Sequence, residues 1–191
     1  MQKSSIFLGL IFLFIFSFSF ANSNLNQQLI EAVKKNDLQQ VKKLIKNGAD
    51  VNFKDKKGFS VLHYAAYFGD IKLVKYLVEK GADVCVRNKK IREPWTYAFK
   101  RKPFNKEIVE YLKSPVKLFK CMDKYFYDNN KGCFKRIKKF LKKGVSPNFV
   151  CRGKTPLQWI EERWHEYVKE DNSFRERYEN LIKLLKSYGA R

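Results

Sequence analysis

The residues best suited to proton transfer near neutral pH are histidines, and this 191-residue chain has only two. His165 lies three residues after Glu162 and next to Glu166, so one helix could bring two metal ligands together there. No second histidine is nearby, and a charged helix face in contact with solvent explains the spacing better. His63 has no cysteine in its own segment with which it could form a catalytic Cys-His pair. We therefore predict no catalytic histidine and no metal site.

Short sequence motifs of catalysis are also missing. The chain contains no G-x-S-x-G nucleophile motif, no Walker loop and no dinucleotide-binding glycine pattern. We therefore predict that the chain is not an enzyme and that it uses no cofactor.

Four cysteines are the remaining reactive groups, and none has the close C-x-x-C spacing of a zinc site or a redox motif. They allow three disulfide pairings. We predict a disulfide between Cys121 and Cys133, facing each other across a helical hairpin. The alternative is that these cysteines are buried and free. The other two are Cys85 and Cys151.

The N-terminal segment, MQKSSIFLGLIFLFIFSFSFANS, has the features of a secretory signal peptide. A lysine precedes an apolar run from Ile6 to Phe20, and Ser19 and Ala21 supply small residues before a cleavage site. We predict a signal peptide over residues 1–21, a domain over residues 22–191, and an exported protein that is periplasmic or secreted. The alternative is an uncleaved membrane anchor, although a spanning helix needs roughly 20 apolar residues.

Positive charge dominates the chain, which has 40 Lys and Arg against 19 Asp and Glu, a formal net charge of +21. Residues 22–160 carry 32 Lys and Arg against 12 Asp and Glu, whereas residues 161–191 carry seven of each. Such a field predicts an anionic partner: an acidic protein, a phosphate-bearing polymer or a charged membrane surface. A lysine-rich surface that only confers solubility is the alternative.

An internal repeat defines the elements that position these residues. GADVN at residues 48–52 returns as GADVC at residues 81–85, 33 positions later. Between them, Leu62, Ala65 and Ala66 share one face of a first helix, which Gly69 ends. A second helix follows, whose apolar face is made by Ile71, Val74, Leu77 and Val78. Because neither helix can bury its apolar face alone, the units must stack.

This pattern resembles the ankyrin-repeat family. The residues that carry the resemblance are Gly58, Ser60 to His63, Ala65, Ala66, Gly69, Val74, Leu77 and Gly81 to Val84. The Thr-Pro-Leu-His of the family stands here as Ser60-Val61-Leu62-His63, and Thr155-Pro156-Leu157 restores the proline later. The resemblance implies an all-α solenoid. It also implies that His63 is a structural residue whose hydrogen bonds connect neighbouring loops.

Weaker copies extend the array to about five repeats, which we predict at residues 25–52, 58–84, 91–113, 114–148 and 153–191. The last copy is lengthened by a helical insertion rich in aromatic residues. Since terminal repeats need a polar outer face, we predict that this charge-balanced hairpin is an elongated C-terminal cap. An aromatic binding platform is the alternative. The aromatic residues concerned are Trp159, Trp164, Tyr167, Phe174 and Tyr178.

In ankyrin arrays the loops and first helices line a concave face, and the resemblance implies that this face binds a partner protein. Three successive loops would present cations along one edge with aromatic side chains nearby, which is typical of interface hot spots. The candidate partner-binding residues are Lys54, Lys56, Lys57, Tyr64, Tyr67, Arg87, Lys89, Lys90, Arg92, Trp95, Arg152 and Lys154.

These features together predict an exported, monomeric binding module for an acidic protein. Such a module could be a scaffold, an inhibitor or immunity protein, or a protein that interacts with a host. The alternative is a binder of anionic envelope polymers, membrane lipids or nucleic acid, acting through the +20 charge of residues 22–191. The sequence shows no helix-turn-helix or RNA-binding signature.

Overall fold

The computed structural model describes residues 24–168 and 172–191, and within these ranges every regular element is helical. The predicted all-α class is therefore confirmed, while the predicted signal peptide lies outside the described residues. None of the helices in this part of the chain combines the length and apolar character required to cross a lipid bilayer. The elements are α1 (24–34), α2 (Leu38–Lys46), α3 (Val61–Phe68), α4 (Ile71–Glu79), α5 (Pro94–Lys100), α6 (Lys106–Asp128), α7 (Lys131–Lys142), α8 (Pro156–Arg163), a π-helical turn (Trp164–Val168) and α9 (Asn172–Ser187).

Two of the helices begin with the same capping arrangement, which marks the first helix of a repeat. Before α3, the Ser60 hydroxyl accepts from the backbone N–H of His63, and the His63 ring accepts from the backbone N–H of Ser60. Before α8, Thr155 and Gln158 make the same reciprocal pair. These bonds satisfy N–H groups that have no partner inside the helix, and they therefore fix where the helix starts.

An asparagine joins neighbouring repeats in the same way at two places. The Asn52 amide donates to the carbonyl oxygen of Gly81 over 3.0 Å, and its oxygen accepts from the N–H of Asp83 over 2.8 Å. Asn148 makes the equivalent two bonds, each 2.9 Å long, to the backbone of residues 189–191. The stacking of repeats therefore continues to the C-terminal helix.

The long helix α6 departs from the predicted repeat pattern. It runs without a break through 23 residues, about 35 Å, so the boundary predicted between residues 113 and 114 lies inside it. Its N-terminal half contacts α4 and α5, and its C-terminal half contacts α7, α8 and α9. No glycine interrupts the helix, and apolar residues continue at helical spacing across the expected boundary. They are Ile108, Leu112, Val116, Phe119, Met122 and Phe126.

The aromatic residues of the C-terminal insertion contribute to the core. Trp159 on α8 is buried, with its ring centroid 5.6 Å from Phe119 and 5.8 Å from Phe126, both on α6. Trp164 and Tyr178 pack against each other with centroids 4.9 Å apart. Because these rings fill the space between α6, α8 and α9, they pack as a cap does and do not form an exposed platform.

A disulfide joins Cys85 and Cys151, and the predicted disulfide between Cys121 and Cys133 is wrong. Cys121 and Cys133 do face each other across the α6–α7 hairpin, but they are buried free thiols. The pairing follows from the loops: residues 83 and 150 form a parallel bridge, which brings the Cα atoms of Cys85 and Cys151 to 4.8 Å. The two cysteines are 66 residues apart because α6 replaces the loop of the repeat between them.

Candidate binding surface

Two projecting loops contain the same four-residue turn, 33 residues apart. In Asp55–Gly58, the sequence DKKG, the N–H of Gly58 donates to the carbonyl oxygen of Asp55 over 2.9 Å. In Asn88–Ile91, the sequence NKKI, the N–H of Ile91 donates to the carbonyl oxygen of Asn88 over 2.9 Å. The first side chain of each turn also accepts backbone N–H groups further along the loop. Each turn therefore presents its two lysines to solvent.

The two turns are held against each other by main-chain contacts. The N–H of Lys89 donates to the carbonyl oxygen of Lys57 over 3.4 Å. Gly58 has a φ of +77°, and a Cβ there would come within 3.1 Å of the Lys89 nitrogen. Glycine at this position therefore allows both the turn and the close approach of the next loop.

His63, in the first turn of α3, also connects the same two repeats. Its Nδ1 accepts from the backbone N–H of Ser60, so Nε2 carries the proton and donates to the carbonyl oxygen of Arg92 over 2.8 Å. Burial lowers the pKa of His63, and although the Arg92 carbonyl opposes this shift, nearby Lys54 reinforces it. The ring is therefore neutral near pH 7 and acts as a structural connector between loops.

The third loop, at residues 149–154, lies beside the second. The N–H of Val84 donates to the carbonyl oxygen of Val150 over 2.9 Å, and the N–H of Gly153 donates to Asp83 Oδ2 over 3.0 Å. The Cys85–Cys151 disulfide closes this contact. Three loops, at residues 53–59, 83–92 and 149–154, thus form one row, which we call the loop face.

The cations of the loop face fall into two groups. Arg87 pairs with Glu93 at 3.4 Å, Arg152 with Asp123 at 3.8 Å, and Lys154 with Glu162. Among the ion pairs of residues 24–168 and 172–191, none involves a cation of the two turns or their flanks. These exposed, unneutralised side chains are Lys54, Lys56, Lys57, Lys89, Lys90 and Arg92.

The predicted aromatic residues occupy less open positions. The Tyr64 hydroxyl donates to Asp55 Oδ2 over 2.7 Å, and the Lys34 ammonium lies 5.1 Å from its ring centroid. Trp95 donates from Nε1 to Glu93 Oε2 over 2.8 Å, and the Lys113 ammonium covers its ring. Both side chains therefore support the fold of the loops. Tyr67 is exposed, but it lies near the C-terminal end of α3. The loop face lies at the other end of this helix, before its first residue.

The Tyr64–Asp55 contact shifts the pKa of both groups. Burial, followed by the hydrogen bond to Asp55, raises the pKa of Tyr64 to about 12. Burial alone would raise the pKa of Asp55, but the Tyr64 hydroxyl and the N–H groups of Phe59 and Lys57 bring it below its usual value. Asp55 is therefore a carboxylate at neutral pH, fully engaged in shaping the first turn.

Ile91, the last residue of the second turn, is absent from the residues predicted from the sequence. Its side chain is 73% exposed, and its backbone has a φ of +56°. It stands 33 residues after Gly58, where the first turn has glycine. Aligning DKKG with NKKI would have shown a β-branched residue at a position that favours glycine.

The part of the chain that the structure describes holds no metal-binding cluster, and its free Cys121 thiol is not activated. No group of three or more His, Cys, Asp or Glu side chains in this part of the chain could hold a metal ion. Burial raises the pKa of the Cys121 thiol to about 11, and its contact with Cys133 adds to the shift. This thiol is consequently protonated and a poor nucleophile near neutral pH.

Stacked helical hairpins, joined by asparagine bonds and by a row of paired loops, define the chain as a helical repeat solenoid. The sequence model of the family described as ankyrin repeats (3 copies) matches residues 29–120, and this stretch of the chain is similar to that family. Ankyrin repeats generally mediate protein–protein interaction, and they are typically binding scaffolds without enzymatic activity. A comparison with curated proteins gave no match.

Proposed function

We propose that this chain is an exported, monomeric binding module that holds an acidic protein against its loop face. The observation that carries the proposal is Ile91, an exposed apolar side chain on a backbone that disfavours it, at the end of a cationic turn. A β-branched residue in the left-handed region costs on the order of 1–2 kcal/mol relative to glycine or a relaxed backbone. Gly58 makes the equivalent turn in the neighbouring loop without that cost.

The electrostatics of the loop face support an acidic partner. Unneutralised lysines flank Ile91 on one side and Arg92 follows it on the other, while the neighbouring turn adds two more lysines. Complementary charge would speed the encounter, and an apolar anchor inside the cationic ring would slow dissociation once water is excluded. Hydrogen bonds and the Cys85–Cys151 disulfide tie the loops to one another, which reduces the ordering entropy lost on binding.

Two features support export. The N-terminal residues have the pattern of a signal peptide. The Cys85–Cys151 disulfide needs an oxidising environment to persist, such as the periplasm or the extracellular space. The same disulfide keeps the second and third loops in register.

The test is capture of partners by the tagged protein from its native cell envelope, with parallel washes at low and high salt. We expect one protein to be retained near stoichiometrically through the high-salt wash, and Ile91→Gly to lose it while Ile91→Val retains it. A mixed anionic set that is released by salt, and captured equally by both variants, would show that only the net charge binds. That result would favour the anionic-polymer alternative.

A further inference from the structure

A second exposed apolar site lies at the opposite end of α5 from the loop face. Phe99 in the last turn of α5 is 61% exposed, and Phe104 in the loop before α6 is 51% exposed. Their rings pack edge to face with centroids 5.4 Å apart. This pair leaves two aromatic side chains largely in water, which costs free energy unless another surface covers them.

The segment that carries the pair is uniformly cationic. Residues 99–106, FKRKPFNK, contain four Lys and Arg residues and no Asp or Glu. Across the part of the chain that the structure describes, no ion pair involves Lys100, Lys102 or Lys106. Glu107, the next residue along, pairs with Lys75 at 3.6 Å. We call Phe99, Phe104 and these three lysines the aromatic tip.

Arg101 anchors the aromatic tip to the rest of the array. Its Nη1 donates to the carbonyl oxygen of Gly69 over 2.6 Å, which ties the α5–α6 connection to the turn between α3 and α4. The cation inside the segment therefore has a structural role, while the three lysines around it are free to meet a ligand.

We propose that the aromatic tip binds the surface of an anionic lipid bilayer. Aromatic rings enter the headgroup region of a bilayer, and the lysines around them meet the lipid phosphates. The favoured occupant is a lipid surface because both rings project from a cationic segment, so apolar and electrostatic attraction act in the same direction. This inference goes beyond the loop face and does not depend on it, since α5 separates the two sites by about 10 Å.

The test uses vesicles of phosphatidylcholine with and without phosphatidylglycerol, and measures the purified protein that sediments with them. We expect binding to require the anionic lipid and to weaken steeply with salt. Phe99→Ala with Phe104→Ala should reduce the affinity about tenfold, and Lys100→Glu, Lys102→Glu and Lys106→Glu together by on the order of 100-fold. Every variant shares the same N-terminal segment, so these differences report the tip alone.

Two controls separate the tip from the net charge and from the loop face. Lys131→Glu, Lys135→Glu and Lys139→Glu together remove the same charge from α7 and should weaken vesicle binding less than about threefold. Ile91→Gly should leave vesicle binding unchanged. A Phe104→Trp variant should show a blue shift of its fluorescence when anionic vesicles are added, because the ring leaves water.

Three results would overturn the proposal. The first is equal sedimentation with both vesicle types, and the second is an equal loss of binding in the α7 control. The third is an unchanged vesicle affinity after both phenylalanines are replaced, combined with loss of a captured protein. That outcome would make the tip part of a protein interface. Thermal unfolding of each variant checks that the exposed substitutions leave the fold intact.

Discussion

The imidazole Nε2 of His63 lies 2.8 Å from the carbonyl oxygen of Arg92, 29 residues away in the next repeat. This bond secures the backbone directly after Ile91 at the point where the second loop turns back into α5. The position of the loop tip therefore depends on a buried ring in the neighbouring repeat. A neutral histidine is needed there, because Nδ1 must accept while Nε2 donates.

Stability should depend on the protonation of His63. Its folded pKa lies below the usual 6.5, so its contribution is complete above about pH 6.5 and is lost as the pH falls through the folded pKa. His63→Ala should cost about 1–3 kcal/mol at neutral pH and should flatten the stability profile between about pH 7.5 and pH 5. Urea unfolding at both pH values measures this. His165 is common to both proteins, so a profile unchanged by the substitution would contradict the assignment.

Removing the disulfide should destabilise the chain substantially. Cys85→Ala with Cys151→Ala frees a 66-residue segment in the unfolded state, which corresponds to a loss of about 2–4 kcal/mol. Denaturant unfolding with and without a reductant measures the loss. The reductant should lower the stability of the natural sequence and leave the double variant unchanged. Four reactive thiols in the unreduced, denatured protein, where two are expected, would be incompatible with this bond.

Ile91→Gly should stabilise the protein while it weakens partner binding. Relief of the left-handed backbone is worth about 1–2 kcal/mol, against an entropic cost of about 0.5–1 kcal/mol for the new glycine. We expect a gain of about 0.5–1 kcal/mol in the free energy of unfolding, measured by urea denaturation. Ile91→Val keeps both the strain and the apolar contact and should behave like the natural sequence. A loss of stability in the glycine variant would show that Ile91 serves the fold.

Charge reversal on the loop face should reduce binding without reducing stability. Lys56→Glu, Lys57→Glu, Lys89→Glu and Lys90→Glu affect side chains that are exposed and unpaired. At low salt, capture of the partner should fall at least about tenfold, because rim charges act mainly on the association rate. The matched control is the reversal of Lys131, Lys135, Lys139 and Lys142 on α7. If both sets lose the partner equally, the loop face is not its binding site.

The sequence predicts the repeats that follow local rules. The spacing of Leu62, Ala65 and Ala66 and the glycines after each helix identify α3 and α4 because periodicity and turn chemistry are encoded within a few residues. His63 is also predictable, since its role belongs to the repeat motif. These features need no knowledge of the rest of the chain.

The features that the sequence does not predict depend on contacts between distant residues. The Cys85–Cys151 pairing requires knowing that α6 omits a loop, which brings residues 83 and 150 into contact. Exposure is likewise a tertiary property: Phe99 stands 33 residues after the buried Ala66, yet it faces solvent. Because Ala66 and Phe99 are one repeat period apart, periodicity alone predicts the same burial for both.

The unbroken α6 limits how this array could change its length. Repeat proteins gain or lose whole units at the joints between them, because each unit contacts only its neighbours. Here one 23-residue helix serves two units, and a disulfide connects the loops on either side. Deleting one of these units would interrupt the helix and would leave one cysteine of the disulfide without its partner. Insertion or deletion is therefore confined to the chain before Cys85 and after Cys151, and the segment between these two cysteines must be inherited as a block.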